Sequence, residues 1–190
     1  MDLGNLVIQR AKRKPVWSRW PSTKTTDWFN LTSSVEAYEM LNGSNTDYGS
    51  IRYIIIDADM ATSFFMAKYQ LSGYSLNDCL TDKEFTINGE LATMPTIGTC
   101  YDSSMLNALY RYPEHYTDYF KLVYESSEKS LLVARHSYNG QLNLLNWPED
   151  QLDQSLLDYV EDNTAFVNGN EIYTDCLLTS TVKIFELAQK

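Results

Sequence analysis

Two aspartates raise the question of chemistry first. Asp57-Ala58-Asp59 closes an apolar run of Ile51, Tyr53, Ile54, Ile55 and Ile56. Carboxylates two residues apart at the end of a strand can converge on Mg2+, which would position a phosphate and absorb its charge. An aspartate in the same place also serves as the N-cap of a following helix, its side chain accepting a backbone N–H. The cap is the preferred reading. Asp57 and Asp59 as metal ligands belong to an alternative in which the protein is a Mg2+-dependent phosphoryl-transfer enzyme.

Over this short segment the pattern resembles the first aspartate motif of the haloacid-dehalogenase phosphatases and the palm strand of nucleotide polymerases. The phosphatase pattern needs a small turn residue after the second aspartate, where Met60 stands, and a later lysine and acidic pair that the chain does not supply. A polymerase needs a longer chain than 190 residues. The resemblance therefore implies no membership in either family.

Other catalytic residue types are sparse. His115 and His136 have no Cys or His at metal-ligand spacing, and His136, on an alternating segment, reads as a sheet residue. Cys79, Cys100 and Cys176 are odd in number and far apart, which favours reduced, buried thiols; Cys100 as a nucleophile paired with His115 or His136 is a minor option. Phosphate-cradling glycine loops and the nucleophile-elbow motif are missing from the sequence. No catalytic residue and no cofactor is assigned, and the expectation is a protein that is not an enzyme.

Charge is distributed more informatively. Net charge is −10, yet residues 1–24 hold Arg10, Lys12, Arg13, Lys14, Arg19 and Lys24 against Asp2 alone, a local +5 that leaves −15 for the remainder. Trp17 and Trp20 are interleaved with these cations, and Pro15 and Pro21 disfavour a regular helix, so an extended arm is expected. Indoles and cations together suit a protein partner, with the tryptophans as buried anchors. Nucleic acid is disfavoured except through the arm, because the acidic body repels phosphates. Tyr, Trp and Phe make up 13% of the chain, a balance that fits large interfaces or a large aromatic core.

A second charged feature lies near the C-terminus. Trp147-Pro148-Glu149-Asp150 predicts the start of a helix over 148–162, with Pro148 at its first position and Leu152, Leu156, Tyr159 and Val160 as its apolar stripe. That helix would present Glu149, Asp150, Asp153, Asp158, Glu161 and Asp162 with no cation among them, a mildly unfavourable arrangement that a basic partner would relieve.

The elements that must position these groups are legible in part. Ser33-Ser34-Val35-Glu36 has capping-box form and predicts a helix over 34–42. The isoleucine run predicts a central strand buried on both faces, followed by a helix over 60–71. Asn88-Gly89 predicts a hairpin, Asp102 a cap for a helix that Pro113 ends, and residues 120–144 a three-stranded meander. Asn168-Gly169 predicts a further hairpin before a last strand around 176–187.

These observations predict an α+β fold: a single domain with a largely antiparallel sheet, several short helices and an extended basic N-terminal arm, residues 1–30 forming the arm and 31–190 the acidic body. No long apolar run occurs and Met1-Asp2-Leu3-Gly4-Asn5 lacks the features of a secretory signal, so no membrane contact and a cytoplasmic or virion setting are expected. The expected function is a non-catalytic component of a macromolecular assembly, of the kind found in the connector or tail of a virus particle, forming homo-oligomers or multi-protein contacts. The competing binding-module reading is an acidic decoy that fills the nucleic-acid groove of a host enzyme.

Overall fold

Antiparallel strands dominate the computed structural model, which describes residue 28 and residues 31–42, 51–64, 80–87, 89–97, 100, 103–136, 142–153 and 165–189. The α+β class expected from the sequence is what these residues form. The first helix, α1 (Ser34–Asn42), starts as its capping pattern predicts, with the Glu36 N–H donating to Ser33 Oγ at 3.4 Å. Trp28, ahead of it, is 1% exposed and donates its indole N–H to the Ala37 carbonyl at 3.3 Å. Residue 28 therefore packs with the body.

The isoleucine run forms β1 (Tyr53–Asp57), but at a sheet edge. Its sheet has the order β1-β9-β4, where β4 is Phe120–Glu125 and β9 is Val182–Leu187, so β9 takes the centre. Only Ile56 of β1 is fully buried, as suits an edge strand with a neighbour on one side only. Past β1 the chain makes a short π turn over Met60–Phe64; the remainder of the helix predicted to residue 71 lies outside the described residues.

A two-stranded ribbon follows: β2 (Thr81–Ile87) and β3 (Glu90–Thr96), joined where the Asn-Gly signal predicts, with Gly89 at φ 85°. The second helix, α2 (Met105–Arg111), is buried along most of its length. Ser104 occupies its N-cap position without a side-chain cap bond, and the expected cap Asp102 is outside the described residues. A 3-10 turn at Pro113–Tyr116 then leads into β4.

The second large sheet has the order β6-β5-β8-β7, built from β5 (Lys129–His136), β6 (Leu142–Pro148), β7 (Phe166–Asn168) and β8 (Glu171–Ser180). Here β5, with Leu131, Leu132, Val133 and Ala134 all buried, is the strand covered on both faces. On one face Phe166 stacks on Tyr173 with ring centroids 4.6 Å apart, and Trp147 lies 5.4 Å from Tyr173. On the other, Leu132 joins the main core of Trp28, Leu41, Ile56, Leu109, Tyr110, Phe120 and Phe185.

The expected meander holds for β5 and β6, which pair antiparallel, and is corrected for β4. Strands β4 and β5 do not pair with each other; they pass into different sheets, each beside one half of a second continuous segment, β8 and β9, which are separated by Thr181 alone. The connector Ser126–Glu128 spends its bonds on that segment. Ser126 N–H donates to the Val182 carbonyl and Thr181 N–H to the Glu128 carbonyl, both at 2.9 Å. The predicted last strand is real but bends at Thr181 from one sheet into the other.

Tyr110 from α2 holds this bend. Its fully buried hydroxyl donates to the Ser180 carbonyl at 2.6 Å, with the Thr181 carbonyl 3.3 Å away. Lys183 returns the contact, its buried ammonium donating to the Tyr110 carbonyl at 2.9 Å in the last turn of α2, where a cation suits the helix dipole. Replacing Tyr110 by Phe leaves the ring in place and the Ser180 carbonyl without its donor. Urea unfolding of the Tyr110→Phe variant is expected to show a loss of about 1–3 kcal/mol, the cost of a buried acceptor left unpaired.

Candidate functional site

Asp57 serves as a cap. Its Oδ1 accepts the Met60 N–H at 2.7 Å, which fixes the turn that follows β1. Burial raises its carboxyl above the usual range, against the Met60 bond that lowers it, and the neighbouring Asp59 raises it further. Asp59 is exposed and points to another sheet, its Oδ1 accepting the Asn146 side-chain N–H at 2.9 Å. The two carboxylates thus have separate partners, and among the described residues no group of three His, Cys, Asp or Glu side chains is arranged to hold a metal ion.

The predicted acidic helix is corrected where it is described. Pro148 ends β6, paired with Ser130, and Glu149–Gln151 form a 3-10 turn that gives way to extended backbone at Leu152. Proline lacks the N–H that a central strand needs, so a strand end accommodates it as well as a helix start does. Glu149, Asp150 and Asp153 are all exposed. Asp158, Glu161 and Asp162 lie outside the described residues, as do Arg10, Lys12, Arg13, Lys14, Trp17, Arg19 and Trp20 of the arm.

Cysteine chemistry also differs from expectation. Cys100 is disulfide-bonded rather than reduced, which removes it as a thiolate nucleophile. Separation along the chain carries no information on whether two Cβ atoms come within bridging distance, so spacing alone could not show this. Cys176 is a free, buried thiol that burial pushes up to about 12.

His136 is placed in the second sheet, its Nε2 2.9 Å from Thr174 Oγ1. Thr174 is fully buried and its hydroxyl also lies 3.3 Å from Asp175 Oδ2. Asp175 sits at φ 53° in a bulge of β8, and the same carboxylate oxygen accepts the Ile97 N–H at 3.1 Å, tying the end of the β2–β3 ribbon to the sheet. Sequence reasoning missed this tether; a non-glycine residue in left-handed conformation leaves no local signature beyond the tolerance of Asp for it. His115 is exposed and stacks on Tyr112.

What the described surface gathers is negative charge. Thirteen carboxylate residues are exposed against three cations, Arg52, Lys83 and Lys121. The other four described cations are less exposed: Lys183 is buried, while Arg111 over the Tyr112 ring, Arg135 facing Glu171 at 3.6 Å and Lys129 donating to Ser180 Oγ at 2.9 Å are half-buried. Among the described residues no helix is long and apolar enough to cross a membrane.

No protein-family model, curated protein or solved structure matches this chain.

His136 yields a pH prediction. Burial lowers its pKa below the ordinary 6.5, with Asp175 acting in the opposite direction. The folded state therefore favours the neutral ring, so the contribution is intact above about pH 6.5 and is lost as the pH falls toward the folded value. Thermal unfolding at pH 7.5 and 5.5 is expected to show a larger acid-side drop in Tm for the parent chain than for His136→Gln.

Proposed function

We propose that this chain is a non-catalytic component of a macromolecular assembly, in which the basic, tryptophan-bearing arm of one copy engages the acidic surface of a neighbour. One observation supports the reading above others: the thirteen-to-three excess of exposed carboxylates over exposed cations on the described body, beside a +5 charge in residues 1–24. A surface so one-sided repels its own copies unless something cationic lies between them. The arm supplies cations in a form suited to that task, with Trp17 and Trp20 as apolar anchors and Arg10, Lys12, Arg13, Lys14 and Arg19 around them.

Glu149, Asp150 and Asp153 are the acidic residues proposed to receive the arm, because they are exposed, lie within five residues of one another and directly follow the β6 strand. Such a contact is heterologous, arm to body, and closes into a ring when its rotation divides a full turn. A component of a connector or tail in a virus particle is the assembly type this geometry suits.

The same acidic surface also favours a second reading, an acidic decoy that fills the cationic groove of a nucleic-acid enzyme. The two differ in their need for the arm.

Light scattering of the full chain separates them. Reversing Arg10, Lys12, Arg13 and Lys14 to Glu is expected to abolish self-association at physiological salt, and 1 M salt, where screening shortens to about 3 Å, is expected to weaken it in the parent chain. A parent chain that stays monomeric at all concentrations contradicts the assembly reading; salt-sensitive binding to a basic nucleic-acid enzyme that survives the arm reversal supports the decoy.

A further inference from the structure

Among the described residues the sheet edges are unequal, and one lacks any device that prevents pairing. The β4 edge carries a bulge between Leu122 and Tyr124 and exposed charges at Lys121 and Glu125. The β6 edge ends in Pro148 and is tied to Asp59 through Asn146, while β7 is three residues long. Bulges, charges, prolines and short length are the ordinary ways of protecting an edge. By contrast β1, Tyr-Ile-Ile-Ile-Asp, pairs with β9 in regular register and has no bulge, proline or internal charge.

Its hydrogen-bonding pattern can be assigned. The Arg52 carbonyl accepts the Leu187 N–H and the Ala58 N–H donates to the Thr181 carbonyl, both at 2.9 Å, so the even-numbered residues of this segment face β9. The N–H and C=O groups of Tyr53, Ile55 and Asp57 therefore point away from the sheet, where no described strand pairs with them. Ile55 is half-buried and Tyr53 is 48% exposed.

We infer that β1 is a self-pairing edge, with the β1 strand of a second copy of this chain as its occupant, joined antiparallel about a two-fold axis at Ile55. In that register Ile55 meets Ile55 of the second copy, Tyr53 meets Asp57, and all three outward-facing residues of each copy lie in hydrogen-bonded pairs. Side-chain parity is kept, since residues 53, 55 and 57 share one face. Across that face Ile55, Ile184 and Tyr124 already form one row over three strands, by the pairing of Ile55 with Ile184 and of Ile184 with Tyr124. Self-pairing doubles the row and covers Ile55 on its open side.

Charge favours the same arrangement. Arg52, exposed and paired with Glu186 at 3.0 Å, stands at one end of β1, and Asp57 and Asp59, which accept from Met60 N–H and the Asn146 side chain, stand at the other. An antiparallel two-fold brings the cationic end of each copy beside the acidic end of the other, at both ends of the strand pair; a parallel pairing would set like charges together. Five residues a side make a small interface, so the dimer is of the weak class that forms at high local concentration. The inference does not rest on the arm.

Ile55→Cys in the full chain tests it. Mild oxidation is expected to give a covalent dimer on a non-reducing gel, because paired Cα atoms in a hydrogen-bonded antiparallel pair lie about 5.5 Å apart, within disulfide reach. The parent chain and Val123→Cys on the bulged β4 edge are expected to give none. Ile55→Lys places two ammonium groups at the axis and is expected to abolish the dimer, with its fold checked by circular dichroism. Cross-linking is expected to persist at 1 M salt in both the parent-arm and the arm-reversed chain, where the repulsion between acidic bodies is screened, which separates this contact from an arm-mediated one. No covalent dimer from Ile55→Cys at the highest soluble concentration, or equal yield from Val123→Cys, overturns the inference.

Discussion

The bend at Thr181 is the constraint from which the rest of the structure follows. A single continuous segment, residues 171–187, supplies an interior strand to both large sheets, and the segment 120–136 runs beside it through the same corner. At such a corner the ladder is interrupted, and backbone groups need partners from elsewhere. Here they find them in the Ser126–Glu128 connector, in Ala58 N–H and in the Tyr110 hydroxyl. Ser130 and Thr181 hydroxyls, 3.0 Å apart, complete the set. Because α2 contributes Tyr110 and receives Lys183, the helix, the corner and both sheets are fixed by one group of contacts.

Where a signal is local, the sequence reads correctly. The Ser33–Glu36 cap and the turns at Gly89 and Gly169, both at positive φ, depend on neighbours within a few residues and appear where expected. Strand rank within a sheet does not. Ile54–Ile56 and Leu131–Ala134 are both continuous apolar runs, yet the first is an edge and the second a centre, because rank depends on partners more than a hundred residues away for β1 and about forty to fifty away for β8 on β5. The β4 end of the meander was misread for the same reason: Ser126–Glu128 looks like a hairpin turn, but its groups bond to Thr181 and Val182.

The candidate chemistry divides similarly. Asp57 as a cap involves Met60, three residues on, and is visible in the letters; Asp59 with Asn146 spans 87 residues and is not. Pro148 carries two meanings, helix start or strand end, and β6 pairing with β5 selects the second. The charge imbalance between the leading residues and the remainder is compositional, and the fold sharpens it by burying Lys183 and half-burying Arg111, Lys129 and Arg135 while leaving thirteen carboxylates exposed.

Whether that imbalance joins separate molecules is decided by zero-length carbodiimide cross-linking of a mixture of light and heavy-isotope chains, read by mass spectrometry. The account predicts mixed-isotope peptides that link Lys12 or Lys14 of one copy to Glu149, Asp150 or Asp153 of another. Links from those lysines confined to single-isotope peptides, at every concentration, would contradict it.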